Sequence, residues 1–259
     1  MPKILLLDIE TAPNKIYAWD MYQEWNNPEM LIESWYILCW CAKWLDEKQV
    51  MSSALPDFKR RYSRNKKDET GVLLEMHKLL SEADIVVGHN ISGFDLGKLK
   101  AKFLQYNIPL PPPSKIVDTL IAARKGFRFT SNKLGDLGAF LRIGHKIDTG
   151  GFGLWKGCID RKKDAWDKMI KYCKQDVLLL EKVYLKLRVD MQRHPNLGAY
   201  LAESAFVCPK CGSDKLIKYG FTFSNQTKYQ RYRCTTCGGF ARSRTNELKR
   251  GHVKAVNIV

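Results

Sequence analysis

No stretch of this 259-residue chain approaches the roughly 18 apolar residues that a membrane-spanning helix needs. A leader pattern is missing as well. Met1-Pro2-Lys3 runs straight into an apolar strand, without a hydrophobic segment and a small-residue cleavage site after it. The expectation is a cytoplasmic protein in a reducing compartment, with no membrane partner. Acid is scarce: 27 Asp and Glu stand against 43 Lys and Arg, a formal net charge of +16. So large an excess of base is the electrostatic footprint of a polyanion binder, most simply of nucleic acid. Paired cysteines are few. Cys39, Cys41, Cys158 and Cys173 have no regular spacing and read as ordinary packed residues.

Three short acidic stretches stand out against this basic background. They are Leu6-Leu7-Asp8-Ile9-Glu10-Thr11, Gly88-His89-Asn90-Ile91-Ser92-Gly93-Phe94-Asp95 and Tyr172-Cys173-Lys174-Gln175-Asp176. Asp8 and Glu10 are two apart in an expected strand, so both side chains leave one face. Asp95 falls where a strand hands over to a helix, the place where such folds put ligands. Tyr172 and Asp176 are i and i+4 on an expected helix, one above the other. Four carboxylates at one point repel and raise one another's pKa. Two divalent cations stabilise such a cluster, and two Mg²⁺ or Mn²⁺ ions are the apparatus for attack of water on a phosphodiester.

The order Asp-x-Glu, Asp, Tyr-x-x-x-Asp resembles the three exonuclease motifs of the DEDD superfamily, in its tyrosine branch. The resemblance spans roughly the first 190 residues and implies a ribonuclease H-like fold and removal of nucleotides from 3′ ends. It also implies roles. Asp8, Glu10 and Asp176 would hold the cation that binds the attacking water, Asp8 would bridge to the second, and Asp95 would support that one through water. Tyr172 would orient the attacking water, since a phenol with a pKa of about 10 is a poor base. None of the five histidines lies near Asp176 in sequence, so His89 and His145 have no claim to be the base, and His89 reads as structural. The segment Ser131-Asn132-Lys133-Leu134 is similar to the helix start that precedes the third motif in polymerase proofreading domains. The chain resembles most the stand-alone relatives of family B proofreading domains that bacteriophages encode. A viral source would place it in the host cytoplasm.

The expected architecture is α/β: a mixed five-stranded sheet flanked by helices over 1–193. Strands are expected at Lys3–Glu10, Trp35–Trp44, Gln49–Ser53, Asp84–Val87 and Lys115–Thr119. Helices are expected at Gly71–Ser81, Asp95–Tyr106, Leu120–Lys125, Leu134–Leu141 and Asp164–Met191, the last with Asp164 as its N-cap. Residues 56–69 read as a solvated loop and 144–157 as a Gly-rich one. Most aromatics of residues 11–44 are expected in the core, with Thr11, Trp19 and Trp25 as the stacking candidates for terminal bases.

After a linker at 194–206 the composition changes. Cys208-Pro-Lys-Cys211 and Cys234-Thr-Thr-Cys237, each followed by Gly, carry the spacing of a structural zinc site. The expectation is a small β zinc ribbon over 207–245 with one Zn²⁺, then a basic tail over 246–259, with Arg242–Arg250 ordered only when bound. Residues 207–259 hold 11 Lys and Arg against 2 acids. Lys218, Lys228, Arg231 and Arg233, interleaved with aromatics, are its candidate nucleic-acid contacts. A stability clip or a protein docking site are the other readings of the ribbon. The first function is therefore a 3′→5′ exonuclease with DNA as the preferred substrate. A 3′ exoribonuclease of ribonuclease D type and a non-catalytic nucleic-acid-binding protein are the alternatives. Protein partners are not legible.

Overall fold

The computed structural model describes residues 1–22, 25, 27–202, 205–249 and 251–255. Strand β1 (Ile4–Thr11) opens the chain, followed by the short pair β2 (Lys15–Ile16) and β3 (Leu31–Glu33). Next come β4 (Ile37–Trp44), β5 (Met51–Ala54), α1 (Lys59–Arg64), α2 (Thr70–Glu82) and β6 (Ile85–Gly88). Helix α3 (Asp95–Gln105), β7 (Lys115–Asp118), α4 (Thr119–Gly126), α5 (Leu134–Phe140), α6 (Gly153–Ile159) and the long α7 (Lys163–Leu187) complete the larger part. The C-terminal part holds β8 (Leu216–Phe223), β9 (Lys228–Cys234) and β10 (Phe240–Arg242).

The main sheet has the order β5-β4-β1-β6-β7, so β1 lies at its centre. Strands β4 and β5 run antiparallel to it, and β6 and β7 parallel. Strand β1 is apolar on both faces because both are covered. Its odd residues Leu5, Leu7 and Ile9 pack among α2 and α3 residues such as Val72, Met76, Leu99 and Phe103. Its even residues Ile4 and Leu6 pack with Val177, Leu180 and Val183 of α7. The strand period of two then sends Asp8 and Glu10 to the α7 side. Along α7 the buried stripe runs through Met169, Tyr172, Cys173, Asp176, Val177, Leu180 and Val183 at helical spacing. Asp176 thus occupies a place in that stripe where an apolar residue would be expected.

Several expectations need correction. Residues 56–69 are not a solvated loop: they hold α1, and Glu69 is buried. The Gly-rich 144–157 stretch ends in α6. The residue before α7 is Lys162, and Asp164 makes no cap bond. Among the aromatics of residues 11–44, Tyr36 and Trp40 are in the core, but Tyr17, Trp19, Tyr22 and Trp25 are exposed. They lie between β2 and β3, a pair outside the main sheet. Arg242 lies in β10, paired with β9, rather than in a tail awaiting a ligand. Of the expected basic tail, Arg250 and residues 256–259 lie outside the described residues.

One buried ion pair pins the start of β4. Glu69 accepts from Ile37 N at 2.6 Å and pairs with Lys102 at 2.7 Å. Glu69→Ala would strand a buried ammonium and a buried N–H. It should cost about 3–5 kcal/mol in a urea titration. Removing the more exposed partner of Glu33, by Lys67→Ala, should cost under about 1 kcal/mol. Equal small losses would show that the Glu69–Lys102 pair does not hold the sheet.

Candidate active site and cysteine cluster

Strand β6 accompanies β1 only from Ile4 to Leu6. Beyond that point the freed edge of β1 is taken by a side chain: Asp95 Oδ1 accepts from Ile9 N at 3.1 Å. Asp95 can do so because the turn before α3 is held from outside. Asp118 accepts from Asn90 N at 3.0 Å and Ser92 N at 3.1 Å, and also caps α4. Asn90 takes the left-handed conformation there, φ 64°, which Asn tolerates. His89 contacts Thr119 Oγ1 and Asn132 O, both at 2.9 Å, and so ties β6 to the loop before α5.

The remaining acids meet from β1 and α7. Trp155 of α6 donates to Glu10 Oε2 at 3.2 Å and packs edge-on against Tyr172, with centroids 6.1 Å apart. Lys146 donates to Asp176 Oδ2 at 2.5 Å and to the Tyr172 hydroxyl at 3.1 Å. Asp176 Oδ1 is buried and has no hydrogen-bond partner among the described residues. The Cys173 thiol lies 3.6 Å from Asp8 Oδ2.

The electrostatics register this crowding. Burial raises the pKa of Asp8 well above the usual carboxylate range, and the charges of Asp95, Glu10 and Asp176 raise it further. Burial with Asp176 nearby takes Glu10 to about 7, against the relief given by Lys146 and Trp155. Burial takes Asp95 to about 7 despite its bond from Ile9 N. Asp176 is raised by burial too, with Lys146 opposing. The carboxylate oxygens nonetheless stand apart. Among the described residues, only the four C-terminal thiols form a group of three or more candidate ligands within 4.8 Å of one another. Four carboxylates, one ammonium and an unpartnered buried oxygen suit added positive charge. Donors that are all carboxylate oxygens suit hard divalent ions.

A cleft of about 890 Å³ opens beside Asp8 and is lined by His89, Arg124, Ser131, Lys133, His145 and Lys146 among others. Sequence reasoning missed three residues here: Lys146, Asp118 and Trp155. A Lys in a loop carries no signal of a partner 30 positions away. The nucleic-acid candidates are dispersed. Thr11 ends β1, Trp19 and Trp25 are exposed beyond it, and Lys218, Lys228, Arg231 and Arg233 lie on β8 and β9.

In the C-terminal part Cys208 Sγ lies 3.7 Å from Cys237 Sγ, and Cys211 Sγ 3.7 Å from Cys234 Sγ. A regular tetrahedron of thiolates about 2.3 Å from zinc has edges of about 3.8 Å. The spacing therefore fits a four-thiolate zinc centre and is far too long for disulfides. Gly212 (φ 75°) and Gly238 (φ 79°) adopt the left-handed turn after each pair, which glycine alone adopts without strain. Burial opposes ionisation of Cys234, but N–H groups of Cys237 and Thr236 bring it down to about 7. Three strands and this cluster are compatible with a zinc ribbon.

A five-stranded mixed sheet in this order, flanked by helices, is a ribonuclease H-like architecture. The sequence matches the family described as the RNase H superfamily over residues 44–188, more than half of the chain, and the chain belongs to that superfamily. The match begins at the end of β4, so Asp8 and Glu10 lie outside it. Protein NEN4 of Arabidopsis thaliana is 27% identical over 158 residues, which are 52% of this chain and 61% of that protein. The chain thus spans less than two thirds of this curated relative. The structure of the family B DNA polymerase from the archaeon Pyrobaculum calidifontis superposes with a TM-score of 0.53 at 14% identity. That superposition covers 74% of this chain and 26% of the polymerase, and is a likeness of fold. Membership of the superfamily supports a nuclease.

The raised pKa of Glu10 has a consequence for stability. An acid held at about 7 against an ordinary 4.5 binds its proton more tightly folded than unfolded. It costs nothing below the lower value and destabilises increasingly up to the higher one. Without Mg²⁺, Glu10→Gln should match the wild type in stability near pH 4. It should exceed the wild type near pH 8 by up to about 3 kcal/mol. Denaturant titrations at both pH values check this, and a variant no more stable at pH 8 would contradict it.

Proposed function

We propose that this chain is a metal-dependent 3′→5′ exonuclease of the tyrosine branch of the DEDD superfamily, acting on single-stranded or frayed ends of DNA. One observation supports the reading: the charges of Asp95, Glu10 and Asp176 all act on Asp8 of β1, and Lys146 donates to both Tyr172 and Asp176 of α7. Asp8, Glu10, Asp95 and Asp176 would hold two Mg²⁺ or Mn²⁺. When bound, the pair would lower the pKa of the attacking water and stabilise charge on the departing 3′ oxygen.

The residues of the chain supply the rest. Burial, with Asp176 nearby, raises the pKa of Tyr172, so its phenol stays protonated and orients the water rather than taking its proton. Trp155 fixes Glu10 and the Tyr172 ring together. Lys146 is the counter-charge of Asp176 in this arrangement. With that carboxylate committed to a cation, the Lys146 ammonium would be free to meet the scissile phosphate. Arg124 and Lys133 extend the positive lining along the cleft, with Ser131 and Asn132 beside them. Thr11, Trp19 and Trp25 remain the proposed contacts of the terminal bases. The exonuclease unit would occupy 1–193, and a ribbon with one structural Zn²⁺ on Cys208, Cys211, Cys234 and Cys237 would occupy 207–245. No helix among the described residues is long and apolar enough to cross a membrane; the proposed location is the cytoplasm.

The deciding assay follows 5′-labelled single strands of DNA and RNA. Products should shorten from the 3′ end only with Mg²⁺ or Mn²⁺, faster on DNA. Asp8→Ala and Asp176→Ala should each lose on the order of 10³-fold or more in rate. Undiminished turnover in both would sink the assignment, and faster loss of RNA would reverse the substrate preference.

Two further variants separate orientation from metal binding. Tyr172→Phe should lose about 10- to 10³-fold in kcat with the Mg²⁺ requirement unchanged. Lys146→Ala should lose about 10²-fold in kcat without raising the Mg²⁺ concentration at half-maximal rate, because Lys146 competes for Asp176. A requirement shifted upward in Lys146→Ala would mean that the lysine assists metal binding instead.

A further inference from the structure

The two faces of the C-terminal sheet differ. Register and strand alternation put Tyr229, Arg231 and Arg233 of β9 with Phe240 and Arg242 of β10 on one side. A bulge at Gly220 brings Tyr219 to the same side, where its ring lies 5.4 Å from that of Phe240. The Arg231 guanidinium is 5.6 Å from the Tyr219 ring and 5.8 Å from Phe240, Arg233 is 5.9 Å from Tyr219, and Arg242 is 3.9 Å from Tyr229. The opposite side carries Lys218, Lys228, Phe221 and Phe223, and its Tyr232 is packed against Phe206 of the linker. The four basic residues singled out from the sequence therefore divide between two faces.

We propose that the arginine face is a second nucleic-acid site, apart from the catalytic cleft, that takes a single-stranded segment. Arg231, Arg233 and Arg242 would meet phosphates, and Tyr219 and Phe240 would stack on bases. Charge complementarity selects the occupant. Strands β8, β9 and β10 contain no acid, and among the described residues none of the three arginines is ion-paired. The rings select the form of the strand. Tyr219 and Phe240 are 45% and 50% exposed, and a duplex interior has no free base face to offer them. Arginines preset against aromatic rings lose little freedom on binding. The proposal does not depend on catalysis by the larger part of the chain.

The test uses the full chain with equimolar zinc and no Mg²⁺ or Mn²⁺, so that nothing is cleaved. Fluorescence anisotropy of a labelled 30-nucleotide thymidine strand is followed against salt. Arg231→Gln with Arg233→Gln should weaken binding at least tenfold. It should also lower the slope of log affinity against log salt by about 1.4, roughly 0.7 for each phosphate contact on a single strand. Arg233→Gln alone, whose side chain makes no hydrogen bond among the described residues, should lower it by about half as much. Tyr219→Ala with Phe240→Ala should weaken binding at an unchanged slope. Lys218→Gln with Lys228→Gln, on the other face, should bind as the wild type does. Equal losses from the arginine and lysine pairs would overturn the proposal in favour of diffuse charge. No loss from the arginine pair would overturn it in favour of a docking face for an acidic protein. Retained zinc, one per chain, checks the fold of each variant. A chain without nuclease activity that still shows the arginine-face effect would separate this proposal from the catalytic one.

Discussion

Four carboxylates gathered beside the central strand set the terms for the rest of the molecule. Burial raises the pKa of each, and the charges of neighbouring acids raise those of Asp8 and Glu10 further, so the cluster opposes both its own ionisation and the stability of the fold around it. Such a cluster persists only where the backbone leaves it no retreat. Asp8 and Glu10 stand on the central strand, flanked by β4 and covered on both faces. Asp95 is locked to Ile9 N, and Asp176 is one position in the longest apolar stripe of the chain. Lys146 balances part of this charge from a loop, the kind of element that can move away.

The parts legible in the sequence are those whose cause is local. Strand β1 is a short apolar run, and its period of two places Asp8 and Glu10 on one face. Helix α7 is a stripe of apolar residues at helical spacing, with Tyr172 and Asp176 within it. Periodicity alone therefore assigns the three acidic motifs to a strand, a strand-to-helix turn and a helix. Gly212 and Gly238 follow their cysteine pairs for a reason equally local.

What escaped the sequence depends on partners far along the chain. Helix α6 looked like a loop because of its glycines. Yet a side chain at Gly157 would strike Ala165 of α7, so that glycine serves close helix contact. Glu69 sits among charged neighbours and is buried by Lys102 and Ile37 N, neither of which periodicity reveals. Asp118 supports the Asp95 turn by holding backbone N–H groups 28 and 26 positions away, and these have no sequence signature. The aromatics between β2 and β3 have the composition of a core, yet Tyr17, Trp19, Tyr22 and Trp25 are exposed.

Helix α7 also relates the two ends of the chain. Its middle carries Tyr172 and Asp176, and the chain just past its end receives the first cysteine turn. Lys210 donates to Met191 O, Leu197 N donates to Pro209 O at 2.9 Å, and Leu197 is buried in the same cluster as Leu187. From Asp176 to Leu187 the helix rises about 16 Å. The first cysteine turn is thus seated on the structure at Met191 and Leu197 rather than tethered loosely. On the proposed reading a strand must reach from the cleft to the arginine face to engage both sites. Longer strands then gain the affinity of the second site through effective concentration, and the gain falls away as trimming brings the 5′ end past the ribbon. Substrate length, rather than base sequence, becomes the variable that such an arrangement senses.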